Sequence, residues 1–182
     1  MRATGFTLIE LLAVVAILAI VLAAGSTALQ ELVRRMEARS AVLKVDRMLS
    51  HARHSALGRQ MPVAVCGSHD GLACNGRWGD GLLVFLDPRQ LGQPQRPGDI
   101  LGHERLDTRG ELRWRGFGGS TVRFDRLGRS TASNGSFTYC ADNRRPEFAR
   151  QVVLNRGGRI RHSRDRDGDG IHEDSGGRPL SC

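Results

Sequence analysis

Arginine is the residue type whose spacing in this chain points most directly to chemistry. Eight arginines fall within one stretch (Arg144, Arg145, Arg150, Arg156, Arg159, Arg161, Arg164 and Arg166), against two acids, Glu147 and Asp165. A guanidinium is a planar fork of donors that fits phosphate oxygens bidentately. Arg159 and Arg161 are two residues apart, so on a strand they leave from one face. Arg156 and Arg164 lie just outside that pair, and Arg144 and Arg145 open the stretch. Between them, Gly157-Gly158 would leave backbone amides open to an approaching phosphate. The pattern offers a grip on the phosphate backbone of DNA, which carries affinity but no sequence code. Solvated arginines on an exposed strand produce the same pattern. An arginine bias also runs through the whole chain, where Lys44 is the one lysine among 27 basic residues.

An acidic run follows directly. Asp165, Asp167 and Asp169 alternate and Gly170 comes next, which copies positions 1, 3, 5 and 6 of a calcium loop of EF-hand type. Position 12 is Gly176, where a bidentate glutamate is expected, so Glu173 or Asp174 would have to stand in. The alternative is a solvated acidic turn that balances the neighbouring arginines. Four cysteines, Cys66, Cys74, Cys140 and Cys182, make an even set with no metal-binding spacing. In an exported chain they read as two disulfides. Cys66 and Cys74 bracket a Gly/Asp turn and Cys140 is within reach of Cys182, although four cysteines allow three pairings. His51 and His54 are three apart on a predicted helix with no third ligand, and read as surface histidines. No nucleophile elbow, P-loop, zinc-protease or dinucleotide fingerprint occurs, and the sequence points to no enzyme.

These residues need elements to position them. The chain has 182 residues, a formal charge of +8 and 40% apolar residues, enough for a core and against a wholly disordered chain. Residues 6–24, FTLIELLAVVAILAIVLAA, carry one charge, Glu10. As a helix they span about 28 Å, close to the ~30 Å of a bilayer's hydrocarbon core. From Ser26 to Leu57 there is neither proline nor glycine. Leu29, Leu32, Val33, Met36, Leu43, Met48, Leu49, Ala52, Ala56 and Leu57 approximate a helical stripe, which predicts an amphipathic helix closing at Gly58. Residues 59–182 change character. Eight short β-type runs, near 61–66, 82–87, 99–106, 111–115, 120–125, 136–140, 150–155 and 158–162, predict an antiparallel two-sheet domain. The fold class is therefore α+β, with residues 88–98 an extended loop and no internal repeat.

Two stretches carry a family resemblance. Gly5-Phe6-Thr7-Leu8-Ile9-Glu10-Leu11-Leu12 resembles the processing site of type IV pilins and pseudopilins. The resemblance implies a leader over residues 1–5, removed by a prepilin peptidase after Gly5, and methylation of Phe6. A membrane helix over 6–25 would then insert in the inner membrane. It also implies that Glu10 pairs with the N-terminal amine of a neighbouring subunit and sets axial register in a filament. The run from Val63 to Asp87, with Cys66, Cys74, Trp78 and Gly81, is similar to the globular domain of GspH/FimT-type minor pilins and pseudopilins. Asp99-Ile100, Val122 to Gly128, Gly135 to Cys140 and Gly158 to Arg161 extend the similarity. The resemblance implies a pilin-like fold, with an amphipathic half-helix over 26–58 packed on a β domain over 59–182. It implies a single-pass inner-membrane subunit with a periplasmic domain, whose partners are other pilins or pseudopilins. Gly158-Arg159-x-Arg161 is similar to the element associated with DNA binding in FimT-type competence pilins. A GspH-like subunit of the type II secretion pseudopilus is the alternative. The arginine-rich stretch and the acidic run after it depart from the family pattern.

Overall fold

The structure, a computed structural model, describes residues 7–130 and 132–182, apart from the side chains of Ala23 and Ala24. Gly5 and Phe6 lie outside the described residues. One helix, α1, runs over Leu8–Arg59. At its start the Thr7 amide and hydroxyl donate to Glu10 Oε2 at 2.9 and 2.8 Å, and the Glu10 amide faces Thr7 Oγ1 at 3.4 Å. This reciprocal box serves amides that have no partner within the helix. Residues Met1–Met36 form one compact unit and Glu37–Cys182 a second. In the first, the large apolar side chains from Leu8 to Leu22 are exposed, and α1 is long and apolar enough to cross a membrane by length and composition.

In the second unit, eight strands form two antiparallel sheets. They are β1 (Val63–Gly67), β2 (Gly81–Leu86), β3 (Ile100–Arg105), β4 (Glu111–Gly116), β5 (Thr121–Phe124), β6 (Gly135–Cys140), β7 (Arg150–Leu154) and β8 (Ile160–His162). One sheet has the order β3-β2-β1-β5 and the other β4-β6-β7-β8. The helix supplies Ala38, Ala41, Val42, Val45, Met48, Leu49, Ala52 and Ala56 to a core shared with Val63, Val65, Leu82 and Val84 of the first sheet. Phe137, Tyr139, Val152 and Leu154 of the second sheet complete it. Phe137 stacks tilted on Trp114 and edge-on to Trp78, with centroids at 4.5 and 4.8 Å. Because β1 and β2 are buried on both faces, Ala64, Cys66, Leu83 and Phe85 form a second cluster under the loop that follows β1.

The structure corrects the sequence reading in three places. The helix passes through Gly58 to Arg59, and Gln60 takes the left-handed turn at φ +52°. Its Nε2 donates to the Leu57 carbonyl at 2.8 Å, which serves a C-terminal acceptor without glycine. The buried stripe of the second unit matches the expected one at Met48, Leu49, Ala52 and Ala56 and departs from it elsewhere. Leu43 and Leu57 are exposed, while Ala38, Ala41, Val42 and Val45 take the core side, because a close helix–sheet approach selects small residues over large ones. Finally, the 99–106 run begins with a 3-10 turn at Pro97–Asp99, so β3 starts at Ile100.

Candidate nucleic-acid interface

The arginine pair sits on a hairpin whose tip is locked by backbone chemistry. β7 and β8 are joined through Asn155-Arg156-Gly157-Gly158-Arg159. Gly158 N donates to the Asn155 carbonyl at 2.9 Å and Asn155 N to the Arg159 carbonyl at 3.1 Å. Arg159 N donates to Asn155 Oδ1 at 2.9 Å. Gly158 closes the turn at φ +76°, the left-handed position such a three-residue hairpin loop requires. Ile160 packs on the core, and His162 Nε2 lies 2.8 Å from Asp46 Oδ2 of α1. Strand alternation therefore turns Arg159 and Arg161 to the outer face, where both are exposed. The register aligns Arg161 with Val153, Val153 with Ser136 and Ser136 with Arg115, so that face carries an arginine on each edge strand.

A second turn of the same build supports the first. After β5, Asp125-Arg126-Leu127-Gly128-Arg129 makes Gly128 N→Asp125 O at 2.8 Å and Asp125 N→Arg129 O at 2.9 Å, with Gly128 at φ +67°. The two tips touch. A Cβ on Gly158 would lie 2.1 Å from the Gly128 carbonyl oxygen. Ser130 N donates to the Arg156 carbonyl at 2.9 Å, and Arg53 Nε of α1 donates to the Gly128 carbonyl at 3.1 Å. Gly158 is thus taken up by close backbone packing, with its amide already bonded, and is not open to a phosphate as its sequence position suggested. Gly157 is exposed, and a Cβ there would meet only Asn155 Oδ1, at 3.4 Å.

The expected arginine set is only partly brought together. Arg156, Arg159 and Arg161 cluster at and beside the β7–β8 tip, and their guanidiniums have no hydrogen-bond or ion-pair partner among the described residues. Arg164 follows β8, where its backbone bridges to Glu173. Arg144 and Arg145 lie in the connection between β6 and β7, at the end of β7 away from the tip. Arg144 takes φ +54°, and Arg145 pairs with Glu147 at 3.1 Å and covers the Phe148 ring. The sequence reading missed Arg126 and Arg53. Its signal was available, since Asp/Asn-Arg-x-Gly-Arg occurs at both 125–129 and 155–159 in a chain read as having no repeat.

The acidic run folds back beside β8. Ligand oxygens of Asp165, Asp167, Asp169 and Glu173 lie within 4.8 Å of one another. Asp165 accepts from the amides of Gly168 and Gly170 at 2.7 and 2.9 Å, and buried Glu173 accepts from Arg166 N at 3.0 Å. Glu173, at the ninth position, joins the group. Asp174 does not, because it is engaged by Arg178, whose amide and guanidinium hold its carboxyl below the usual range. His172, half-buried next to it, bonds the Ser163 carbonyl; burial and Arg150 push its pKa down. Two disulfides, Cys66–Cys74 and Cys140–Cys182, tie the loop after β1 and the tail to the sheets. His51 and His54 are exposed on α1.

Comparison with known proteins now bears on these features. The family described as type II transport protein GspH matches residues 41–158, well over half of the chain. The chain belongs to the GspH family. The prokaryotic N-terminal methylation motif matches residues 1–26 of this GspH-family chain. Among solved structures, it is similar to the type IV minor pilin FimU of Pseudomonas aeruginosa strain PAO1 in two crystal forms. The first has a TM-score of 0.58 at 19% identity and covers 81% of this chain and 96% of that one. The second has a TM-score of 0.55 at 19% identity, with 79% and 98% covered. At that identity the likeness is one of fold: a long N-terminal helix and two antiparallel sheets. Comparison with curated proteins finds no match. Both glycine turns fall in or at the edge of the family match, whereas the acidic run lies wholly beyond it.

Proposed function

We propose that this chain is a minor type IV pilin of the FimT-like kind, which joins a pilus filament through α1 and binds DNA for uptake in natural transformation. The observation that carries the reading is the rigid β7–β8 tip with unpaired Arg156, Arg159 and Arg161. A locked turn needs no ordering of its backbone when its arginines meet a phosphate, and no carboxylate among the described residues competes for them. A prepilin peptidase would cut after Gly5, Phe6 would be methylated, and the helix would anchor in the inner membrane with the β domain in the periplasm. The two disulfides suit that oxidising compartment. On assembly Glu10 would exchange its Thr7 contacts for the amine of a neighbouring subunit, since opposite charges attract strongly where water is absent. The four-carboxylate group beside β8 would take calcium, a cation that oxygen ligands suit. None of these assignments is enzymatic.

The test is DNA binding by the protein across a range of salt. Replacing Arg159 and Arg161 with glutamine is expected to lower the slope of log affinity against log salt by roughly 1.8, from ~0.9 per phosphate contact on B-DNA. Replacing Arg105 and Arg109 removes the same charge elsewhere and should leave the slope. Equal losses in the two double variants would reduce the binding to diffuse attraction by a basic protein. A second reading, a pseudopilin of type II secretion, is favoured by the description of the family that matches residues 41–158. Absence of DNA binding by the wild-type protein at low salt would select it.

A further inference from the structure

We infer that the nucleic-acid contact is made by two turns rather than one, with Arg126 of the 125–129 turn supplying a phosphate contact beside Arg156, Arg159 and Arg161. The inference rests on the DNA-binding reading and extends it to a residue outside the arginine-rich stretch. Both turns have the same ladder of bonds and the same left-handed glycine, so Arg126 and Arg156 occupy equivalent second positions. The turns meet backbone to backbone at Gly128 and Gly158, and Arg156 O accepts from Ser130 N just after the first turn. Arg126 is exposed and without a partner among the described residues.

The second arginine of the same turn is already committed. Arg129 Nε donates to Asp125 Oδ2 at 2.9 Å, and Asp125 Oδ1 takes the amides of Leu127 and Arg129, both at 2.9 Å. Asp125 is the turn's one acid, and this pairing neutralises it. The joined tips therefore present Arg126, Arg156 and Arg159 with no free carboxylate from either turn. Arg53 is wedged beneath them, its Nε 3.2 Å from a Cβ position on Gly158 and bonded to Gly128 O. A phosphate backbone crossing the tips meets exposed cations carried by both turns. Because phosphates look alike in every sequence, the ligand class is duplex DNA without sequence preference.

The experiment uses the full chain in zwitterionic nanodiscs, titrated with a labelled duplex by fluorescence anisotropy from about 50 to about 200 mM salt. Over that range each phosphate contact contributes a factor of roughly 3.5 to the loss of affinity. Arg126→Gln should therefore be less salt-sensitive than wild type by that factor, with an unchanged melting curve. Arg126→Lys should restore the wild-type slope, since a point charge releases the same counterion. Arg105→Gln, at the opposite edge of the first sheet, should leave the slope as it is. If Arg126→Gln behaves like Arg105→Gln while the Arg159/Arg161 double variant still loses slope, the two-turn contact is overturned and the DNA reading survives. If the wild-type protein binds no duplex at low salt, the DNA reading fails and takes the inference with it.

Discussion

Adjacent glycines at the β7–β8 tip should respond very differently to one added methyl group. In Gly158→Ala the new Cβ would lie 2.1 Å from the Gly128 carbonyl oxygen, at a residue with φ +76°. The left-handed conformation costs a non-glycine residue about 1–2 kcal/mol. Separating two packed backbones resembles overpacking, at about 1–3 kcal/mol. Together the loss is about 2–5 kcal/mol, which for a domain of this size lowers the melting temperature by roughly 5–15 °C. Gly157→Ala meets only Asn155 Oδ1, at 3.4 Å, and Gly157 is not among the positive-φ residues. It should leave stability unchanged or raise it by less than about 1 kcal/mol through the unfolded chain. Thermal and urea unfolding of the fragment Glu37–Cys182, which contains the whole core, would measure both. Equal, small effects from the two variants would refute the packing of the two tips.

Other consequences are equally open to measurement. Asp87 is 3% exposed, accepts from Leu91 N and Gly92 N at 2.7 and 3.0 Å, and pairs with Arg123 at 3.2 Å. Asp87→Ala strands those donors, so urea unfolding should show a loss of about 3 kcal/mol. Replacing Cys140 and Cys182 together with serine should cost about 4 kcal/mol by loop entropy, and replacing Cys66 with Cys74 about 2.5, an ordering that denaturant midpoints would check. Burial raises the Asp125 pKa, but the amides of Arg129 and Leu127 and the Arg129 guanidinium more than reverse this, so it is lowered overall. Its stabilising effect is present above the unfolded value of about 3.9 and is lost as pH falls through the lower folded value. Asp125→Asn should therefore destabilise at neutral pH, by about 1 kcal/mol for exposed charge pairing, and flatten the acid limb of a stability–pH profile. Calcium at about a hundred times its dissociation constant should add about 2.7 kcal/mol if the four carboxylates close on it. A melting curve indifferent to calcium and to chelator would leave only a hydrogen-bonded acidic loop.

The sequence yielded much of this architecture because its signals are local. Short continuous apolar runs in VAVCG and GLLVFL, bounded by Gly and Asp, place strands without knowledge of their partners. The apolar run after Thr7 likewise declares its environment by length alone. The helix's buried face was harder to see. Met48, Leu49, Ala52 and Ala56 were legible, yet Ala38 and Ala41 give almost no hydropathy contrast and were passed over, while the larger Leu43 and Leu57 were counted in although they are exposed. Arg159 and Arg161 were legible as a pair because strand alternation needs only their spacing. Gly158 was misread because its role depends on Gly128, a neighbour thirty residues away that no periodicity reveals. Arg144 and Arg145 were grouped with the tip by proximity in sequence, but the five residues of β7 intervene and carry the two ends of the stretch apart.

The bond from Arg53 to Gly128 also has a mechanical meaning. β8 is a three-residue edge strand, held along one side only, and a pull on its arginines alone would unzip it from β7 one bond at a time. The joined tips change the load path. Tension at Arg159 passes through the Arg156–Ser130 bond into β5 and its sheet, and through the Gly158–Gly128 contact and Arg53 into α1. Bonds loaded in parallel yield together, so the tip should resist traction far better than so short a strand would alone.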